Sequence, residues 1–236
     1  MTRRTIPLGQ IAGIPVALDY SWFLIFVLLS WMLATSYFPA EFPDWLASLC
    51  WLVAVATAIL FFVSVLLHEL GHSAVARRYE IPVRSITLFV FGGVAQIGDD
   101  RPSAGAEFRI AIAGPLVSFA LGALFYAVQK TAGGIQPLYG LAKYLSYINL
   151  VLGAFNLIPG YPLDGGRVLR AIVWAVTHDL KRATLIAANV GRGFGFLFII
   201  AGVWHMLHGN LVGGLWIAFI GWFLESAAAS QAARAV

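Results

Sequence analysis

Residues 46–78 read LASLCWLVAVATAILFFVSVLLHELGHSAVARR, and the first 22 of them, 46–67, carry no charged side chain. As an α-helix those 22 residues extend about 33 Å at 1.5 Å per residue, enough to cross a hydrocarbon core of roughly 30 Å. His68, Glu69 and His72 follow at once, and then Arg77 and Arg78. Residues four apart share a helix face, so the two imidazoles point the same way. Counting back from Arg77, the pair lies about 7 to 14 Å inside the boundary that the arginines mark. Ionisable groups at that depth are costly and mark a functional site by default. The segment therefore predicts a membrane-spanning helix with a polar site near one end.

The rest of the chain agrees. Of its 236 residues 60% are hydrophobic and 11% charged, against about 25% charged in an average soluble domain. Uncharged runs give six candidate spans: 20–38, 46–76, 110–128, 144–163 continuing past Asp164, 185–207 and 211–224. No short charged-then-apolar leader with a cleavage site precedes the first, so it reads as a retained span. The single Cys50 forms no internal disulfide and reads as a small packed side chain. With Arg3 and Arg4 cytoplasmic, six spans place Arg77, Arg78, Arg84, Arg101, Arg109, Arg167, Arg170, Lys181, Arg182 and Arg234 on or near that side, with Lys130 and Lys143 opposite. Orientation and lipid headgroups account for the net charge of +4, with no nucleic-acid partner. The reading is of a multi-pass protein of the cell membrane with both termini cytoplasmic.

Two stretches break the helical pattern. Residues 6–16, punctuated by Pro7, Gly9, Gly13 and Pro15, predict an extended or hairpin segment before the first span. Residues 83–91 run into Gly92-Gly93 and then Val94-Ala95-Gln96-Ile97, which predicts two strands around a glycine turn. Backbone at membrane depth needs internal hydrogen bonds, so this hairpin belongs against the helices or in a wet cavity on the cytoplasmic side. The fold class is thus an all-α membrane protein: a polytopic bundle of about six transmembrane helices with a small membrane-associated β-hairpin or sheet. Residues 227–236 read as a small-residue tail. Gly191, Gly193 and Gly195 predict close helix packing, either within the chain or between copies in a homo-oligomer.

His68-Glu69-Leu70-Gly71-His72 is an HExxH pattern, whose two histidines suit one Zn²⁺ while the glutamate reaches the water on the metal. Catalytic zinc usually takes three protein ligands, so a third is needed. Asp164 lies at a matching depth, after helix-breaking prolines and before Arg167 and Arg170; its competing role is to cap the following helix. His178 is a reserve ligand, whereas His205 and His208 fall a membrane's width away. With His68, His72 and Asp164 holding zinc, Glu69 is the general base of a peptide hydrolysis. The hairpin at Gly92 and Gly93 either offers an edge to which an extended substrate adds as a strand or is a structural turn.

The HExxH helix, together with Asn156-Leu157-Ile158-Pro159-Gly160-Tyr161-Pro162-Leu163-Asp164-Gly165-Gly166-Arg167, resembles the site-2 protease family of intramembrane zinc metalloproteases. Phe91-Gly92-Gly93-Val94 and Ala113-Gly114-Pro115 extend the likeness over nearly the whole chain. The resemblance implies a single transmembrane metalloprotease domain over 1–236 with core spans 46–78, 107–130 and 143–177. It implies Glu69 as catalytic residue, one zinc ion per chain on His68, His72 and Asp164, and Asn156 as a substrate-binding residue, with a helix-ending cap as its alternative. It also implies transmembrane protein substrates and regulated intramembrane proteolysis. Relatives often carry PDZ or CBS modules, and the chain contains neither. Its start, 6–19, looks most like the branch with carboxy-terminal CBS domains, so it is either a core cut after the sixth span or a naturally short member.

Other functions fit less well. Membrane zinc proteases that trim prenylated peptides add a downstream glutamate ligand, and neither Glu107 nor Glu225 sits in that pattern. A zinc-binding transporter or scaffold without protease activity is the alternative, and it would have no use for a general base. Serine and aspartyl intramembrane proteases are poor fits, because the sequence has no Gly-x-Ser-x-Gly and no pair of aspartates in apolar helices.

Overall fold

The computed structural model describes residues 5–90, 92–98 and 103–235. Arg3, Arg4 and Arg101, used above for orientation, and Phe91 lie outside the described residues. In chain order the elements are strands β1 (Thr5–Ile11) and β2 (Ile14–Asp19), then helix α1 (Ser21–Met32), continued through a π-helical turn (Leu33–Tyr37) into α2 (Phe38–Glu41). Helix α3 (Ala47–Arg78), strands β3 (Val83–Phe89) and β4 (Gly92–Ile97), and helix α4 (Ala104–Thr131) follow. The chain ends with α5 (Gln136–Asn156), α6 (Asp164–Thr177), α7 (Leu180–Leu207) and α8 (Leu211–Ala235).

Among the described residues five helical segments are long and apolar enough to cross a membrane: Ser21–Glu41, Ala47–Arg78, Ala104–Thr131, Leu180–Leu207 and Leu211–Ala235. Their outward residues include Leu28, Leu52, Ile59, Leu116, Leu124, Ile200 and Val212, all exposed, while Thr57, Ser64, Ser118, Asn149 and Glu107 are buried. An apolar exterior over a partly polar interior is what lipid as solvent selects. The interrupted fourth segment folds as α5 and α6 joined by residues 157–163. Residues 227–235, read as a tail, are helical and prolong α8, because alanine is the strongest helix former and six of these nine residues are alanine.

The described residues divide into two compact units. The first joins residues 1–100 and 113–153. Its four strands form one sheet in the order β1-β2-β3-β4, antiparallel at both ends and parallel between β2 and β3, where Val16 pairs with Ile86 and Leu18 with Leu88. The two hairpins predicted separately are therefore one sheet. Leu18 and Leu88 pack with Val65 of α3, which holds the sheet against the helix that carries the HExxH residues. At the other end of α3, Phe38, Phe42 and Trp45 stack, the last two at 4.2 Å between centroids. Such aromatic clusters favour the membrane–water interface. Cys50 is free and buried among Leu33, Val53 and Ala54.

The second unit joins residues 101–112 and 154–236. Its helices α7 and α8 approach closely through small residues: a methyl on Gly202 would overlap the Ala218 amide and Gly214 carbonyl, and one on Gly195 would overlap the Gly221 carbonyl. Gly191 lies against the Tyr161 backbone, whereas Gly193 faces open space. The glycines at 191 and 195 thus serve packing within the chain. Glu107, fully buried, accepts hydrogen bonds from Arg170, which also lies over the Tyr161 ring at 5.5 Å. That pair explains an otherwise costly buried carboxylate.

Candidate metal centre

Helix α3 delivers its two histidines to one point. His68 and His72 are buried, at 4% and 2% exposure, with ring centroids 4.9 Å apart and planes at 78°. Their Nε2 atoms are 3.2 Å apart. Two nitrogens each about 2.05 Å from a tetrahedral zinc are about 3.3 Å apart, so the pair already has the spacing that one ion requires. Nδ1 of His68 lies 2.9 Å from Ser118 Oγ on α4, which turns Nε2 toward His72.

The space before these nitrogens is kept open by a missing side chain. A methyl group on Gly114 of α4 would overlap Nε2 of His72 and of His68. Gly71 lies against Val117 and the Ala113 carbonyl in the same way, so α3 and α4 run in close contact beside the pair. We predict that Gly114→Ala lowers zinc occupancy of the purified protein and costs about 1–3 kcal/mol of stability through overpacking. Zinc per chain and a thermal melt measure both, and unchanged affinity would show that the two helices separate freely at this point.

Glu69 faces the sheet. Its Oε2 accepts a hydrogen bond of 3.1 Å from the Ala95 amide of β4, and Ser73 donates to its backbone carbonyl at 2.8 Å. Here the structure corrects one expectation. Gly92 and Gly93 do not form the turn; they begin β4, paired with Phe89 and Leu88. The reason is steric: a side chain on Gly93 would overlap the Glu69 side chain. Among the described residues β4 is the outer strand of the sheet, and it meets the Glu69 carboxylate at Ala95.

The other predicted residues sit in the second unit, apart from Asn156's helix, which begins in the first. Asn156 ends α5 and is half-buried. Asp164 is the first residue of α6, whose cap position is Leu163 with no side-chain cap, so Asp164 does not cap the helix in the usual manner. Gly165 and Gly166 are buried, and a methyl on either would overlap backbone atoms of the segment 157–161. The glycines therefore let the broken segment fold back on the first turn of α6 and fix the position of Asp164. His178 is the left-handed C-cap of α6, 14 residues and about 20 Å from Asp164 along the helix; the two cannot serve one ion. His205 and His208 lie at the exposed end of α7, with His208 against the Trp204 ring at 4.2 Å. Sequence reasoning gave no site role to Ser118 or Ala95, and marked Gly114 only through Ala113-Gly114-Pro115 in the family resemblance.

Helices long and apolar enough to cross a membrane, together with a buried imidazole pair beside a carboxylate, define a multi-pass membrane protein with a zinc-type site. Residues 56–143 and 131–200 match the family model of peptidase family M50. The chain is 43% identical over 235 residues to Rip3 of Mycobacterium tuberculosis, covering 98% of this chain and 60% of the relative. It is 40% identical over 202 residues to zinc metalloprotease MJ0392 of Methanocaldococcus jannaschii, covering 86% of this chain and 55% of the relative. The solved site-2 protease from Methanocaldococcus jannaschii superposes with a TM-score of 0.64 at 33% identity, covering 97% of this chain and 95% of that one. The chain belongs to peptidase family M50. It spans about 60% of the length of the Rip3 relative.

Proposed function

We propose that the protein is an intramembrane zinc metalloendopeptidase of the site-2 protease type, holding one zinc ion on His68, His72 and Asp164. The observation that carries the reading is the buried imidazole pair with Nε2 atoms 3.2 Å apart, adjacent in sequence to a carboxylate, on an apolar helix. Two imidazoles and a carboxylate are a common donor set for catalytic zinc. Zinc there supplies a Lewis acid that acidifies water and polarises a carbonyl.

The chain's own residues do the rest. The Glu69 carboxylate accepts the proton of the attacking water and passes it to the leaving peptide nitrogen. The outer edge of β4, with Gly92 and Gly93, takes an extended stretch of substrate as an added strand, which brings its backbone beside Glu69. Asn156 hydrogen-bonds a substrate carbonyl. A peptide bond inside a stable helix is shielded by its own hydrogen bonds, so the substrate is a transmembrane protein segment that unwinds locally. The biological setting is regulated intramembrane proteolysis. The site lies near the cytoplasmic face and both termini are cytoplasmic, because Arg77, Arg78, Arg84, Arg109, Arg167, Arg170, Lys181 and Arg182 fall on one side when the interrupted segment of α5 and α6 counts as a sixth span and the six alternate.

The test uses the full chain purified in detergent. Chelation is expected to abolish cleavage of a membrane-spanning test substrate, and stoichiometric zinc to restore it. Cleavage that persists in the chelated, zinc-free protein would overturn the proposal.

A further inference from the structure

Four buried hydroxyls in these helices are satisfied locally: Thr57, Ser64, Ser73 and Thr184 each donate to the carbonyl four residues back, at 2.7 to 2.9 Å. Ser118 differs. It is fully buried, and among the described residues its Oγ has one hydrogen-bond partner, Nδ1 of His68 at 2.9 Å on the neighbouring helix. A buried serine that bonds across to an imidazole rather than back along its own helix is placed for that imidazole.

A neutral imidazole carries one proton. With the proton on Nδ1, Nε2 offers its lone pair to a metal; with the proton on Nε2, it cannot ligate. A serine oxygen can donate or accept, but only acceptance of Nδ1–H is compatible with a ligating Nε2. We propose that Ser118 is a positioning residue of the metal centre, its oxygen accepting the Nδ1 proton of His68 and so fixing the ligating tautomer and the ring orientation. The inference rests on the zinc reading above. The same contact aims Nε2 of His68 at Nε2 of His72, 3.2 Å away. Without the acceptor, Nδ1–H loses that buried hydrogen bond, which weakens the preference for the Nδ1–H tautomer. A proton on Nε2 disables the nitrogen on which zinc depends.

Zinc affinity of the full chain in detergent, read by competition with a chromophoric chelator, tests the assignment in wild type, Ser118→Ala, Ser118→Thr and Ser118→Val. Threonine and valine share a shape and differ by the hydroxyl, so their comparison stands even if alanine disturbs the fold. Ala and Val are expected to weaken zinc roughly 10- to 100-fold, and Thr to bind like wild type. In the zinc-free protein, ¹⁵N imidazole spectra, with His68→Gln assigning the resonance, are expected to show the Nδ1–H tautomer in wild type and its loss in Ser118→Val. Equal zinc affinity of Thr and Val, or an Nε2–H tautomer in wild type, overturns the role of Ser118 alone. Wild type that binds no zinc overturns the metal centre and this inference together.

Discussion

Glu69→Gln is expected to leave zinc content unchanged and to lower the rate of substrate cleavage by roughly 10³-fold, within the range that general acid–base catalysis contributes. The two effects separate because of where the carboxylate sits. It adjoins the histidines in sequence but hydrogen-bonds to the Ala95 amide of β4, and a glutamine oxygen can accept that same bond. The sheet and the imidazole pair therefore keep their places. What disappears is the proton acceptor, since an amide cannot take a proton from water near neutral pH. Zinc assays and single-turnover cleavage on one preparation make the comparison. Cleavage within tenfold of wild type would remove Glu69 from the chemistry.

Asp164→Ala is expected to reduce zinc from about one per chain to near zero after dialysis against a weak chelator, since a structure with two protein ligands lacks the third that catalytic zinc sites use. Asp164 stands at the first turn of α6, behind Leu163 at the cap position. Its removal therefore costs α6 no side-chain cap, and the melting temperature of the zinc-free protein is expected to change little. Zinc loss with an unchanged apo melt separates ligation from folding. Full occupancy in Asp164→Ala would mean that the third ligand is another group. His178 would be a poor replacement, standing at the far end of the same helix.

The spans are legible in the sequence because lipid imposes a single strong rule: some twenty uncharged residues in a row suit little besides a crossing of the bilayer. Helix α3 is readable to within two residues at each end for that reason, and the histidine pair because four-residue spacing on a helix fixes a common face. Strand partnerships are not legible. Proline and glycine punctuation around β-branched residues marks these stretches as extended but carries no label saying that Val16 lies beside Ile86. Gly93 misleads for a related reason. Glycine signals permissive backbone, and only the structure distinguishes a turn from a strand that must pass close to Glu69. Ser118 is invisible as a functional residue because one serine in an apolar helix usually bonds to its own backbone. Alanines 227–229 and 232–233 look like a tail because small residues lack pattern, although their intrinsic preference is helical.

The parallel seam between β2 and β3 also dictates an order of assembly. Its partners are separated by 70 positions, from Val16 to Ile86, and parallel neighbours cannot be joined by a tight turn. Both α1 and α3 must have crossed the bilayer before the seam can close, and pairings this remote in sequence form late. The strand lying over Glu69 thus takes its final support only after the helices before it are in place.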